Sequence, residues 1–251
     1  MTHPAYEIMD PDAPGPWVVT CDHASNGVPD WVAGGDLGLP PADMGRHIAY
    51  DVGARGVTLE LARLLDAPAV LTRFSRLVID PNRGEDDPTL VMRLYDGTVI
   101  PANRRLCSED LGRRLGRLYR PYHDAVEHLL AQRAAPAVLA IHSFTPRLRG
   151  RPPRPWQVAV LHSHLDTRLA RPLLARLRAQ PDLVVGDNEP YSGHLPGDSI
   201  DRHALAPGRL NALVELRNDL IAAPEAQEAW AARLAPLLAG ALEEARRETH
   251  G

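Results

Sequence analysis

The stretch Val18–Asp30, VVTCDHASNGVPD, decides how the chain is read. With Trp17 before it, its apolar half ends at Cys21, and Asp22, His23, Ser25 and Asn26 then arrive ahead of Gly27 and Pro29. A short apolar run bounded by turn residues reads as a buried strand. In an open α/β sheet, ligands bind beyond the carboxyl ends of the strands. The polar cluster is therefore either a solvated loop or the first wall of an active site.

Outward from this stretch, strand-like and helix-like segments alternate. Ala69–Leu71, Leu77–Ile79, Val138–Ile141, Val158–Leu161, Leu183–Val185 and Ala212–Leu216 read as strands. Helical spacing runs through 43–66 via Ile48, Val52, Leu59 and Leu61, across three glycines. Ser108 suits an N-cap for a long helix to about Arg133, with Glu109 and Asp110 at its positive end. Thr167–Ala179 is a further helix, and Pro224 to Glu248 is helical sequence that Pro236 should kink or divide. This alternation predicts a three-layer α/β/α sandwich with a mixed, largely parallel central sheet, in a single domain spanning 1–251. The proline- and arginine-rich stretches 81–107 and 144–156 are long loops within it, of the kind compact domains keep for function.

Composition narrows the chemistry. Of 251 residues, 44% are hydrophobic and 24% charged, with a net charge of −4, which gives no reason to expect nucleic acid as a partner. No apolar run approaches the about 20 residues needed to span a bilayer, and the first residues lack a signal-peptide pattern. A cytoplasmic protein with no membrane partner is expected, and a homo-oligomer stays open. There is no lysine; all 28 basic residues are arginine. Schiff-base and P-loop lysine mechanisms are thereby excluded, and every fixed cation is a guanidinium suited to gripping carboxylates. Two cysteines, Cys21 and Cys107, make no disulfide framework. Without a G-x-S-x-G elbow, and with Cys21 reading as a small buried residue, nucleophilic catalysis carries little weight.

Reactive residues close four predicted strands: His23, Asp80–Arg83 in LVIDPNR, His142 in VLAIHS, and Glu215–Arg217 in ALVELR. Two histidines from separate strands plus a carboxylate are the ligand set of a catalytic zinc site with an open fourth position. Asp22, Asp51 and Glu215 are the candidate carboxylates. His47 and Asp51, four apart on the expected helix, would share a face, as ligands or as an exposed hydrogen bond. His162 and His164 form an H-x-H that fits a surface or capping role better than a metal.

CDHASNGVPD, RHIAYDVGA, SRLVIDPNR, AIHSFTP, VVGDNEPYSG and VELRNDLI, in that order from about residue 17 to 221, together resemble the N-formylglutamate amidohydrolase family. That family is similar to the zinc carboxypeptidase and aspartoacylase fold group. The resemblance implies hydrolysis of the amide of a small N-formyl or other N-acyl amino acid such as N-formylglutamate, with Zn2+ or another divalent metal. It implies His23 and His142 as ligands, and Asp51 as the third, because Asn26 stands where related H-x-x-E sites carry their glutamate. Glu215 matches the catalytic base acting on a zinc-activated water, and Asn82 and Arg83 match the pair that holds a substrate carboxylate. Arg76 is expected to neutralise an oxyanion or to form a surface ion pair. Asn188 and Tyr191 are expected to contact substrate, and Arg217 to take a second carboxylate or pair with Asp219 or Glu215. The alternatives are an amidase for a different small N-acyl substrate and a non-catalytic binding protein of the same fold.

Overall fold

The computed structural model describes residues 3–250, the side chains of 249 and 250 excepted. Its strands are β1 (Tyr6–Met9), β2 (Trp17–Cys21), β3 (Ala69–Thr72), β4 (Leu94–Tyr95), β5 (Thr98–Val99), β6 (Ala137–Phe144), β7 (Val158–Leu161), β8 (Val185–Asp187) and β9 (Asn211–Arg217). Its helices are α1 (Pro41–Met44), α2 (Ala54–Leu64), α3 (Ser108–Arg114), α4 (Arg120–Ala131), α5 (Ala170–Arg178) and α6 (Pro224–His250).

The central strands are apolar enough to be buried on both faces, as parallel strands must be. All residues of β2 and β6 are buried. Seven strands make one sheet in the order β1-β3-β2-β6-β9-β7-β8, while β4 and β5 form a separate hairpin. Strands β3, β2, β6 and β9 run parallel, β7 and β8 run opposite to β9, and β1 closes the far edge antiparallel to β3. Alternate residues of β2 serve opposite faces: Trp17, Val19 and Cys21 pack with α2, α5 and α6, and Val18 packs with α4. A third cluster, around Ile48, Phe74, Leu77 and Tyr119, lies under the long loops. The expected α/β/α sandwich with a mixed, mostly parallel sheet is the observed fold. No helix among the described residues is long and apolar enough to cross a membrane.

Several elements differ from expectation, each for a local reason. The helix over 43–66 is confined to α2; Gly53 has φ +81°, and the Asp51 amide donates to the His23 carbonyl at 2.9 Å. His47 and Asp51 therefore share no helix face. Leu77–Ile79 is buried but is a turn, because side chains take its carbonyls: Asn103 donates to Leu77 and Arg114 to Val78. The strand expected at 183–185 starts at Val185. The helix expected from Ser108 is capped by Cys107 and passes through a π-turn at Leu115–Tyr119 between α3 and α4. Helix α6 continues through Pro236. There the buried stripe Leu234, Leu238 and Leu242 outweighs the roughly 3 kcal/mol that an interior proline costs.

Candidate metal centre and substrate cavity

His23 leaves the end of β2, and His142 stands near the end of β6 directly beside Glu215 of β9. By strand alternation, His142 and Glu215 share the sheet face of Val138 and Leu213, the face covered by α4. Asp51 enters from the turn before α2. Its Oδ2 lies 2.9 Å from His142 Nδ1 and 3.3 Å from His23 Nδ1, and accepts the Ser143 amide at 3.2 Å. His23, Asp51 and His142 are buried, and their ligand atoms lie within 4.8 Å of one another, the one such group among the described residues.

Each imidazole is held from behind. His23 Nε2 is 2.7 Å from Asp80 Oδ1, and His142 Nε2 is 3.3 Å from Asp22 Oδ2. Tyr122 of α4 donates to Asp22 Oδ1 at 2.5 Å, and Arg76 donates through Nε and Nη2 to Asp80 Oδ2. Histidine ligands backed by carboxylates are the usual outer arrangement of a metal site. Charge fits as well. With neutral imidazoles, the buried carboxylates of Asp22, Asp51 and Asp80 face the single guanidinium of Arg76, leaving two negative charges for a dication.

The proton balance reflects that excess. Burial alone would lower His142, but the adjacent carboxylates of Asp22 and Asp51 raise it to about 10. Against the opposing effect of burial, His142, His23 and Tyr122 hold Asp22 at about 2, and the two histidines keep Asp51 lower still. Burial pushes Glu215 up to about 7, and its Oε2 has no hydrogen-bond partner. Burial also pushes the Cys21 thiol up, which suits an inert core residue.

A cavity of about 280 Å³ opens over this cluster. Of the residues singled out in the sequence, His23, His47, Asp51, Arg76, Asn82, Arg83, His142, Tyr191 and Glu215 line it. Arg76 is buried, so its ion pair with Asp80 is not a surface one. Arg83 donates only to Asn82 O and Thr89 Oγ1. Asn82 is seated by its amide on Asp80 Oδ1 and by its Oδ1 on the Ser199 amide.

Asn188 lies off the cavity wall, and Arg217 takes its expected alternative, the pair with Asp219. Asn188, at φ +52°, spends its Oδ1 on the amides of His162 and Gly193 and is absent from the cavity wall. It shapes the turn, where a Cβ on Gly193 would come within 2.1 Å of the His162 amide nitrogen. Arg217 donates to Asp219 Oδ1 at 2.8 Å and to the carbonyls of Arg154 and Trp156. It braces the 144–156 loop and does not line the cavity. Asn26 is exposed and donates to the Met44 carbonyl, and His47 lies 3.4 Å from Asp96. His162 pairs with Asp187, and His164 meets His194 edge to face, both outside the ligand group.

Sequence reasoning did not find Tyr122, Tyr95, His194 or Asp198. The last three line the cavity, and Asp198 is raised by burial to about 7. Tyr122 carried a legible signal only as part of the apolar stripe of α4.

The sequence profile of the N-formylglutamate amidohydrolase family matches residues 15–222. The crystal structure of a gene product of Agrobacterium tumefaciens is similar at 36% identity, covering 96% of this chain and 95% of that one, with a TM-score of 0.90. An N-formylglutamate amidohydrolase from Ralstonia eutropha JMP134 shares the fold at 22% identity, covering 97% and 98%, with a TM-score of 0.67. No curated protein matches the sequence. The profile takes in both strand-end histidines, the Asp51 turn and Glu215, and on that match the chain belongs to the N-formylglutamate amidohydrolase family.

Proposed function

We propose that the protein hydrolyses the amide of a small N-formyl amino acid, N-formylglutamate being the substrate the family name indicates, with a divalent metal held by His23, Asp51 and His142. The observation that carries this reading is the buried His–Asp–His group, set beside a Glu215 whose Oε2 has no hydrogen-bond partner, on the wall of the cavity. The atoms Asp51 Oδ2 and His142 Nδ1, 2.9 Å apart, are close to the roughly 3.3 Å edge of a tetrahedron with zinc–ligand bonds of about 2.0–2.1 Å. Bound there, zinc supplies Lewis acidity and lowers the pKa of water toward about 7.

The chain's own residues do the rest. Asn82 and Arg83 hold a substrate carboxylate by hydrogen bonds and charge. Glu215 accepts a proton from the water that attacks the formyl carbon, and returns it to nitrogen as the C–N bond breaks, releasing formate and the amino acid. Arg76, with Nε and Nη2 committed to Asp80 and Nη1 3.5 Å from Asp51 Oδ1, stabilises the developing oxyanion by its charge.

Metal analysis and a formate-release assay on N-formylglutamate test this. About one equivalent of divalent metal and metal-dependent formate release are expected. Glu215→Gln should retain the metal and lose about 10²–10⁴-fold in kcat. A protein that neither holds metal nor is activated by it would exclude the reading, and full activity in Glu215→Gln would remove that residue as the base.

A further inference from the structure

The fate of Arg217 raises a question of charge. A substrate such as N-formylglutamate has two carboxylates, and the cavity wall already carries Asp51, Asp198 and Glu215. Of its cations, Arg76 is bound to Asp80 and also lies 3.5 Å from Asp51 Oδ1. Arg83 is free of carboxylate partners but can satisfy only one end of a diacid. A second cation is needed, and Arg217 is turned away on Asp219.

Arg154 adjoins the cavity through the residues that line it. Its guanidinium lies between two aromatic side chains of the cavity wall, 4.9 Å from the Tyr191 ring centroid and 5.7 Å from that of Phe144. Nη2 donates to the Tyr191 hydroxyl at 2.9 Å and Nη1 to the Thr145 carbonyl at 3.0 Å. Of its five N–H donors, the remaining three have no protein acceptor, and no carboxylate pairs with it among the described residues. Its backbone is fixed from both sides: its amide donates to the Pro146 carbonyl, and its carbonyl accepts from Arg217. Phe144, Thr145 and Tyr191, the three residues its guanidinium meets, all line the cavity, though Arg154 itself is not a lining residue. A planar cation stacked between rings and already oriented loses little freedom on gripping an anion.

We infer that Arg154 is a specificity-determining residue that receives the side-chain carboxylate of the substrate, so that the site takes N-acyl amino diacids, with Arg83 and Arg154 each holding one carboxylate. This rests on the hydrolase reading above for the reaction but not for the binding. Phe144 and Tyr191 keep the guanidinium in plane, and the Arg217–Asp219 pair keeps its loop in place.

The test separates binding from turnover. Calorimetric titration of the metal-loaded protein with glutarate and with its monoamide, 4-carbamoylbutyrate, reads the diacid preference directly. Wild type is expected to prefer glutarate by about 30-fold, the scale of one charge-assisted pair. Arg154→Gln should abolish that preference, and Arg154→Lys, which keeps the charge but loses the fork, should restore part of it. In formate release, the ratio of kcat/KM for N-formylglutamate over N-formylglutamine should fall at least about tenfold in Arg154→Gln, chiefly through KM. An unchanged ratio, or equal weakening of both ligands, would overturn the inference and leave Arg154 as a support for Tyr191. An Arg154-dependent glutarate preference without formate release would uphold it while the assigned reaction failed. Where Arg154→Gln does not fold, a wild-type protein with no preference for glutarate, or an Arg154→Lys variant that keeps the full preference, overturns it.

Discussion

Asp51 concentrates three interactions on one carboxylate oxygen, two of them to imidazoles, and this makes the site sensitive to what stands behind those imidazoles. Asp80→Asn removes the carboxylate that orients His23 and should weaken metal binding about 10–100-fold without abolishing it, as measured by competition with a chromogenic chelator. Asp51→Ala removes a proposed ligand and should weaken it further in the same assay. His23, His142 and Glu215 were legible because strand-end position is visible in the sequence. Asp51 was legible as one of three candidate carboxylates, and family motifs singled it out, since its approach depends on a turn whose shape comes from Gly53 and a bond to the His23 carbonyl. Arg154 was hidden in a proline- and arginine-rich loop, where one arginine looks like the next until the aromatic rings are folded around it.

At the scale of elements, the sequence showed periodicity but not where a chain must break from it. The apolar spacing of 43–66 is real, and Ile48 is as buried as Leu61, yet Ile48 belongs to the loop core and Leu61 to α2. Gly53 divides them. A Cβ there would lie 2.2 Å from the Ile221 carbonyl oxygen at a positive φ, so Gly53→Ala should destabilise the fold by at least about 2 kcal/mol in urea unfolding. Helix α4 meets the turn of 201–205 through a buried histidine pair, His123 Nδ1 and His203 Nε2 at 2.9 Å. Burial, with the charges of His203 and Arg202, lowers His123 from 6.5 to about 3, so the folded state resists a proton the unfolded chain accepts. Stability from this residue is complete above pH 6.5 and is lost as pH falls toward 3, adding up to about 1.4 kcal/mol per pH unit to the slope. Urea titrations at pH 7, 5.5 and 4.5 should therefore show a shallower acid dependence in His123→Gln than in wild type.

For the whole molecule, the order of layers was readable from alternation, while the reversed direction of β7 and β8 was not, because strand direction is set by crossover connections rather than by composition. Chelation should lower the thermal midpoint in scanning calorimetry, since a ligand present at about 1,000 times its Kd stabilises by about 4.1 kcal/mol. The three proposed ligands also lie far apart along the chain, Asp51 being 28 residues from His23 and 91 from His142. Closing such long loops costs entropy that only a formed sheet repays. On the proposed assignment, a metal would meet His23, Asp51 and His142 only after the central strands have paired, and would not template them. Refolding rates should be the same with and without metal, while unfolding slows when it is bound, so the ion acts as a latch on a finished fold.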